Sequence, residues 1–388
     1  MRDGTNLPPG RRRRFLLVGA LSALLVSLLV TELVVRVLFW PTSPDVIREH
    51  SLQYLPTVFA RHMLQPDQTV DSTLPWGPRS RKPEEGRRFR INPMGYRGGP
   101  FPSAKPEGAI RVVVIGGSSV FDLGAEEGED WPHLVEQELR RAGHPEVEVI
   151  NAGVPGHASF DSLGRLYTQI WTFRPDFVLL YTGWNDIKIF GDLGPESPLI
   201  WHVQPYVATS DPFQNYRGAL DRLLCLSEFY VKLRNRYFQW RLGPGPEGIV
   251  RGGGLRPGFD PAGVEQYRLT LEMFVDASRN IGALPILLTE ATLVSEKNSP
   301  EERARINYAY VRLTPEALAV AYREIRRTTS EVAREKQSDF LDVAAETRGD
   351  TDCFVDHVHL SRKGARKVSG LVAEFLLKRL GRQPDRRP

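Results

Sequence analysis

A three-layer α/β/α domain on a mostly parallel, five-stranded sheet is the fold the sequence predicts. Five short runs, at 111–115, 147–151, 177–182, 284–290 and 339–343, are apolar with little alternation. Stretches with a helical apolar period separate most of them. Strands apolar on both faces must be covered on both, and intervening helices do this when the strands run parallel.

At the N-terminus, 1–14 is a basic segment ending in Arg11-Arg12-Arg13-Arg14. The apolar run that follows, 15–40, is long enough to cross a hydrocarbon core of about 30 Å as a helix. Four arginines ahead of it favour a cytoplasmic N-terminus, which predicts a single-pass membrane protein whose remaining chain is extracytoplasmic, in the periplasm or outside the cell. Glu32 and Arg36 stand four apart on one helical face and can pair, with Arg36 snorkelling to the interface and Trp40 at the boundary. A cleaved signal peptide would need a small-x-small site, and none follows cleanly.

Residues 41–108, rich in proline, arginine and glycine, read as a stalk that leans on the domain. Within it, Pro93-Met94-Gly95-Tyr96-Arg97-Gly98-Gly99 is turn-rich with no readable role. The domain itself spans 109–380, with helices predicted at 131–141, 159–173, 263–281 and 315–336. A last helix, 361–380, carries the stripe Val368, Leu371, Val372, Phe375 and Leu376. Residues 381–388 are a basic tail.

An insertion at 187–258 leaves the sheet after the third strand and is placed to act as a lid. Its aromatics, from Trp201 and Tyr206 to Phe229, Tyr237 and Trp240, would equally build a small helical core. Its cations, among them Arg217, Arg222 and Arg236, suit an anionic membrane surface.

In open parallel sheets ligands bind beyond the carboxyl ends of the strands, and three polar segments fall there. Gly116-Gly117-Ser118-Ser119 ends the first strand, Asn151-Ala152-Gly153-Val154-Pro155-Gly156 the second, and Gly183-Trp184-Asn185-Asp186 the third. Asp356-His357-Val358-His359 precedes the last helix. Serine becomes a nucleophile when a base removes its proton, and that base needs a partner fixing its tautomer. Ser118, His359 and Asp356 can fill these roles, and Asn185 can donate its amide to a developing oxyanion. His357 is a poorer base, because Asp356 beside it can hardly curl back to orient the ring. Asp186 is expected to cap or brace its loop.

These four blocks, in this order, resemble the SGNH/GDSL hydrolase family of esterases and lipases, over about 111–380 less the insertion. Gly117 stands where that family most often has Asp, and alignment on the first glycine favours Ser118 over Ser119 as nucleophile. The resemblance implies a flavodoxin-like fold, a Ser118-His359-Asp356 triad and an oxyanion hole of the Ser118 and Gly153 N–H groups with Asn185. It implies no metal or organic cofactor. The expected activity is hydrolysis of O-acyl esters, on glycans or lipids, by an extracytoplasmic enzyme tethered by its N-terminal helix. An O-acyltransferase would use the same residues with a glycan hydroxyl replacing water. A non-catalytic glycan-binding scaffold would not need the full catalytic set.

Composition fits this reading. The 388 residues are 41% hydrophobic and 25% charged, enough for one sizeable core with accessory segments. The net charge of +4 comes largely from the two ends, which argues against nucleic acid as a partner. Two cysteines, Cys225 and Cys353, exclude a disulfide framework while leaving one bridge open. A zinc site would have only Cys353, Asp356 and His357 to draw on.

Overall fold

The structure, a computed structural model, describes residues 8–39, 41–49, 51–71, 88–190, 213–242 and 255–381. Trp40, Trp201, Tyr206 and the tail beyond 381 lie outside the described residues. The chain divides into two compact units, one of Met1–Ser51, Ser72–Gly86 and Thr209–Pro244, the other of Leu52–Asp71, Arg87–Ala208 and Gly245–Pro388.

The larger unit opens with two short antiparallel hairpins, β1 (Tyr54–Leu55) with β2 (Met63–Leu64) and β3 (Gln68–Asp71) with β4 (Arg88–Ile91). The part of 41–108 expected to be stalk is therefore folded here. In β4, Arg88-Phe89-Arg90-Ile91 alternates exposed and buried, a period of two too short to stand out in the sequence. Leu64, Val70, Phe89 and Ile91 close a small core with Phe121 and Val154, beside the first and second strand-end loops.

The central sheet holds β5 (Ile110–Gly116), β6 (Val147–Gly153), β7 (Phe177–Thr182), β8 (Leu284–Thr289) and β9 (Asp339–Leu341) in the order β6-β5-β7-β8-β9, all parallel. Val112 to Ile115 and Phe177 to Tyr181 are at most 1% exposed, which explains their unbroken apolar runs. Helices Trp131–Arg141, Pro261–Asn280, Pro315–Glu335 and Arg362–Leu380 fall where their apolar periods place them, whereas the one expected over 159–173 ends at Thr168 and is followed by a 3-10 turn, Ile170–Phe173. Local chemistry sets their starts. Asp260 and Thr314 cap helices that begin with proline, and Ser361 accepts from the Gly364 N–H.

The strand order reverses between β5 and β7, because the chain moves one way from β5 to β6 and the other from β7 onward. At such a switch point the two following loops part and leave a crevice at the carboxyl edge. Gly116 pairs in register with both Gly153 and Tyr181, so the segments after all three strands emerge level with one another.

In the smaller unit, helix Pro9–Leu38 has the length and composition of a membrane-crossing segment over Gly10–Leu38. Glu32 and Arg36 pair at 2.7 Å, as their spacing predicts. Residues 213–242 of the 187–258 insertion lie in this unit and form helices Ala219–Leu224 and Glu228–Leu242. Few apolar residues of 213–242 are buried: Val231 and Cys225 are, whereas Phe229, Tyr237 and Trp240 are exposed. Cys225 and Cys353 are both free thiols.

Candidate active site

The turn that carries Ser118 follows from two glycines at the end of β5. A Cβ on Gly117 would lie 2.8 Å from both Asn185 Nδ2 and the His157 carbonyl, so no larger residue fits this turn as it stands. Its glycine, where the resembled family most often has Asp, is thus matched to the close approach of Asn185. Ser118 then starts a single helical turn, Ser118–Phe121, and its N–H has no acceptor within that turn. Its hydroxyl is part-exposed, whereas Ser119 is buried and donates to Glu290 Oε1.

His359 Nε2 lies 2.9 Å from Ser118 Oγ, and its Nδ1 lies 2.7 Å from Asp356 Oδ2. The other carboxylate oxygen, Asp356 Oδ1, accepts the N–H groups of Val358 and His359, each at 2.9 Å. The three-residue spacing thus curls the loop around its own carboxylate and holds the ring in place. Burial would lower the His359 pKa, but the hydrogen bond and charge of Asp356 outweigh it and raise the value. Although burial opposes it, the same hydrogen bond and charge, with the two N–H donors, hold the Asp356 carboxyl well below the usual carboxylate range. His357 points elsewhere. Its ring packs on Trp184 with centroids 3.9 Å apart, and burial lowers its pKa to about 4.

Asn185 is held from both ends of its amide. Nδ2 donates to the His157 carbonyl at 2.9 Å, and Oδ1 accepts from Tyr310 Oη at 3.2 Å. One Nδ2 proton is thereby engaged and the second remains available to a developing oxyanion. Asp186 accepts from the Ser159 N–H at 2.9 Å and its hydroxyl at 2.6 Å, bracing the loop after β7 to the start of helix Ser159–Thr168.

Gly153 does not take the expected part. Its N–H donates to Asn151 Oδ1 at 3.0 Å, and a Cβ on it would lie 2.2 Å from the Phe121 nitrogen. It is thus a close-packing glycine against the Ser118–Phe121 turn, with its donor already engaged. The neighbouring loop lies against Asn185 through His157. Asn151 itself donates to the Val120 carbonyl and to Asp130, steadying the turn that carries Ser118.

Two contributors went unread in the sequence, Tyr310 and Glu290. Glu290 follows β8 and bridges the two loops of the crevice, accepting from Ser119 Oγ and from the Trp184 N–H at 2.5 Å. The available signal was a carboxylate closing an otherwise apolar strand at its carboxyl end. Burial raises its pKa to about 7 from an ordinary 4.5, against the pull of Ser119 and Trp184. Over that interval the folded protein holds a proton the unfolded chain has released, so this group's stabilisation is full below about 4.5 and declines as pH rises through 7. The stability difference, wild type minus Glu290→Gln, should accordingly shrink between pH 5 and pH 8. Urea midpoints at both pH values measure it, and a difference independent of pH would contradict the raised value.

Among the described residues, no group of three or more His, Cys, Asp and Glu side chains is placed to hold a metal ion.

No family model and no curated protein matches the chain. Solved structures do. A lipase/acylhydrolase from Enterococcus faecalis is 18% identical, with 70% of this chain and 96% of that one covered at a TM-score of 0.41. A catalytic mutant of an acetylxylan esterase from Geobacillus stearothermophilus is 17% identical, with 73% and 100% covered and the same TM-score of 0.41. A G-D-S-L family protein from Desulfitobacterium hafniense DCB-2 is 14% identical, with 68% and 98% covered at a TM-score of 0.39.

Proposed function

We propose that this protein is a serine esterase of the SGNH type, tethered by its N-terminal helix and acting on O-acyl esters outside the cytoplasm. The observation that carries the reading is the continuous chain Ser118 Oγ, His359, Asp356, with links of 2.9 Å and 2.7 Å. In this reading Ser118 Oγ attacks the acyl carbon and its proton passes to His359 Nε2. Asp356 stabilises the imidazolium. The Ser118 N–H and the free proton of Asn185 Nδ2 receive the oxyanion. Collapse returns the proton to the departing alcohol, and water repeats the sequence on the acyl-enzyme. The test is hydrolysis of a panel of p-nitrophenyl acyl esters by the full chain in detergent, with fluorophosphonate labelling. A chain that neither hydrolyses nor labels would be a scaffold.

Asn185→Ala should lower kcat by roughly 10²- to 10³-fold with little change in KM, the signature of a donor that acts on the transition state. Tyr310→Phe leaves the amide in place but unpins its oxygen, so kcat should fall by less. Steady-state kinetics on one ester compares them, and an unchanged kcat in Asn185→Ala would reduce that residue to a turn former.

The four arginines and the apolar helix Pro9–Leu38 support the tether. A periplasmic-active phosphatase fused after Pro388 should be active, and the protein should stay in the membrane through an alkaline wash. Release of a shortened soluble form would mean a signal peptide.

A further inference from the structure

Glu32 lies inside the apolar span Gly10–Leu38, six residues before its end, hence about 9 Å below it along a helix. A carboxylate at that depth is costly unless satisfied, and Glu32 is satisfied by the insertion. It accepts from Ser227 Oγ at 2.7 Å, the Glu228 N–H at 2.9 Å and the Phe229 N–H at 3.0 Å, which makes it the cap of helix Glu228–Leu242. Arg36 donates to the Leu226 carbonyl at 2.8 Å. Further on, Lys232 and Asn235 reach Thr42, so helix Glu228–Leu242 rises alongside the end of the apolar helix in the same direction. Tyr216, before helix Ala219–Leu224, donates to Asp45 at 2.5 Å. The two insertion helices thus form a hairpin whose tip, near residue 226, points back to the level of residue 32.

That tip is apolar and uncovered. Leu226 is 71% exposed and Leu223 62%. Above it, Phe229, Leu233, Tyr237 and Trp240 recur on one face of the ascending helix, all exposed, with Trp240 at 79%. The stripe climbs about 16 Å and changes from Phe and Leu to Tyr and Trp, the order of a hydrocarbon-to-interface gradient. Exposed Arg236 and Arg241 flank its upper end, where anionic headgroups would lie. An uncovered apolar patch continuous with a membrane-spanning helix has lipid as its occupant.

We propose that the hairpin of Ala219–Leu224 and Glu228–Leu242 is a membrane wedge, its tip and stripe seated in the same leaflet as the end of the N-terminal helix. This rests on the reading of Pro9–Leu38 as a membrane span. The insertion then fixes how the tether meets the bilayer, and Glu32 is the peg that holds the wedge at its depth.

The test uses the full chain in phosphatidylcholine/phosphatidylglycerol vesicles, with a nitroxide on single cysteines in a Cys225→Ser, Cys353→Ser background that keeps the wild-type circular dichroism. Leu226→Cys is the wedge position, with Leu223→Cys as its second if the first misfolds. Val18→Cys reports the span and Leu269→Cys the aqueous control. At positions 226 and 18, relaxation by oxygen should exceed that by a water-soluble nickel chelate, with the reverse at 269. A lipid-buried 18 with nickel-accessible 223 and 226 overturns the wedge and leaves the span. Positions 223 and 226 shielded from both agents would mean a second protein chain covers the tip, which also overturns it. Nickel access at 18 removes the span and the wedge together, while leaving the esterase chemistry untouched.

Discussion

Ser118→Ala is expected to abolish hydrolysis of a p-nitrophenyl ester and labelling by a fluorophosphonate, a loss of roughly 10⁶-fold in kcat. Geometry favours this serine over its neighbour. Ser118 Oγ meets His359 Nε2 at 2.9 Å, whereas the Ser119 hydroxyl is buried and committed to Glu290. Ser119→Ala should therefore keep labelling and much of the turnover, losing only what the bridge to Glu290 contributes to the alignment of the turn. His359→Ala should be nearly as damaging as Ser118→Ala. The double variant should be no worse than either, because a nucleophile and its base act as one unit. Unchanged circular dichroism would separate lost chemistry from lost fold. An active Ser118→Ala beside a dead Ser119→Ala would move the nucleophile by one residue.

What was legible in the sequence was whatever is local. The inner strands β5, β7 and β8 are buried on both faces, so their runs of apolar residues are their own signature, and β5, β6, β7, β8 and β9 fall within two residues of the expected limits. The bond between Asp356 and His359 is equally local, since three residues of loop bring ring and carboxylate together. Glu290 and Tyr310 belong to no such pattern. Glu290 meets Ser119 across 171 residues, and Tyr310 meets Asn185 across 125, so only the folded sheet edge makes them neighbours. Gly153 shows a different limit. A glycine beside a serine turn is compatible with an oxyanion donor or with close packing, and only the Asn151 side chain on its N–H decides for packing. The hairpins within 52–91 escaped because β1 and β2 are two residues long, too short to display a period. In the insertion, residue types were read correctly as apolar and basic, but their placement beside Glu32 depends on hydrogen bonds spanning nearly 200 residues.

Asp356→Asn is expected to lower kcat by roughly 10⁴-fold while preserving the loop, and to shift the pH profile in a stated direction. Oδ1, which anchors the Val358 and His359 N–H groups, has an amide-oxygen counterpart in asparagine, so the backbone curl can persist. Asparagine then turns its NH₂ towards His359 Nδ1, which must become the acceptor. This places the ring proton on Nε2, facing Ser118, and a protonated Nε2 cannot take the serine's proton. The carboxylate is also what raises the His359 pKa against burial. A histidine base must be neutral to act, so wild-type activity should rise with pH through a value above the ordinary imidazole range. Without the Asp356 charge burial prevails, and the acid limb of the residual activity should move to lower pH. The kcat profile of the two proteins between pH 5 and pH 9 measures both effects. A lowered plateau with an unmoved limb would mean that Asp356 orients the ring without setting its charge. An unchanged plateau would leave Asp356 as a brace of its own loop and the triad without its third member.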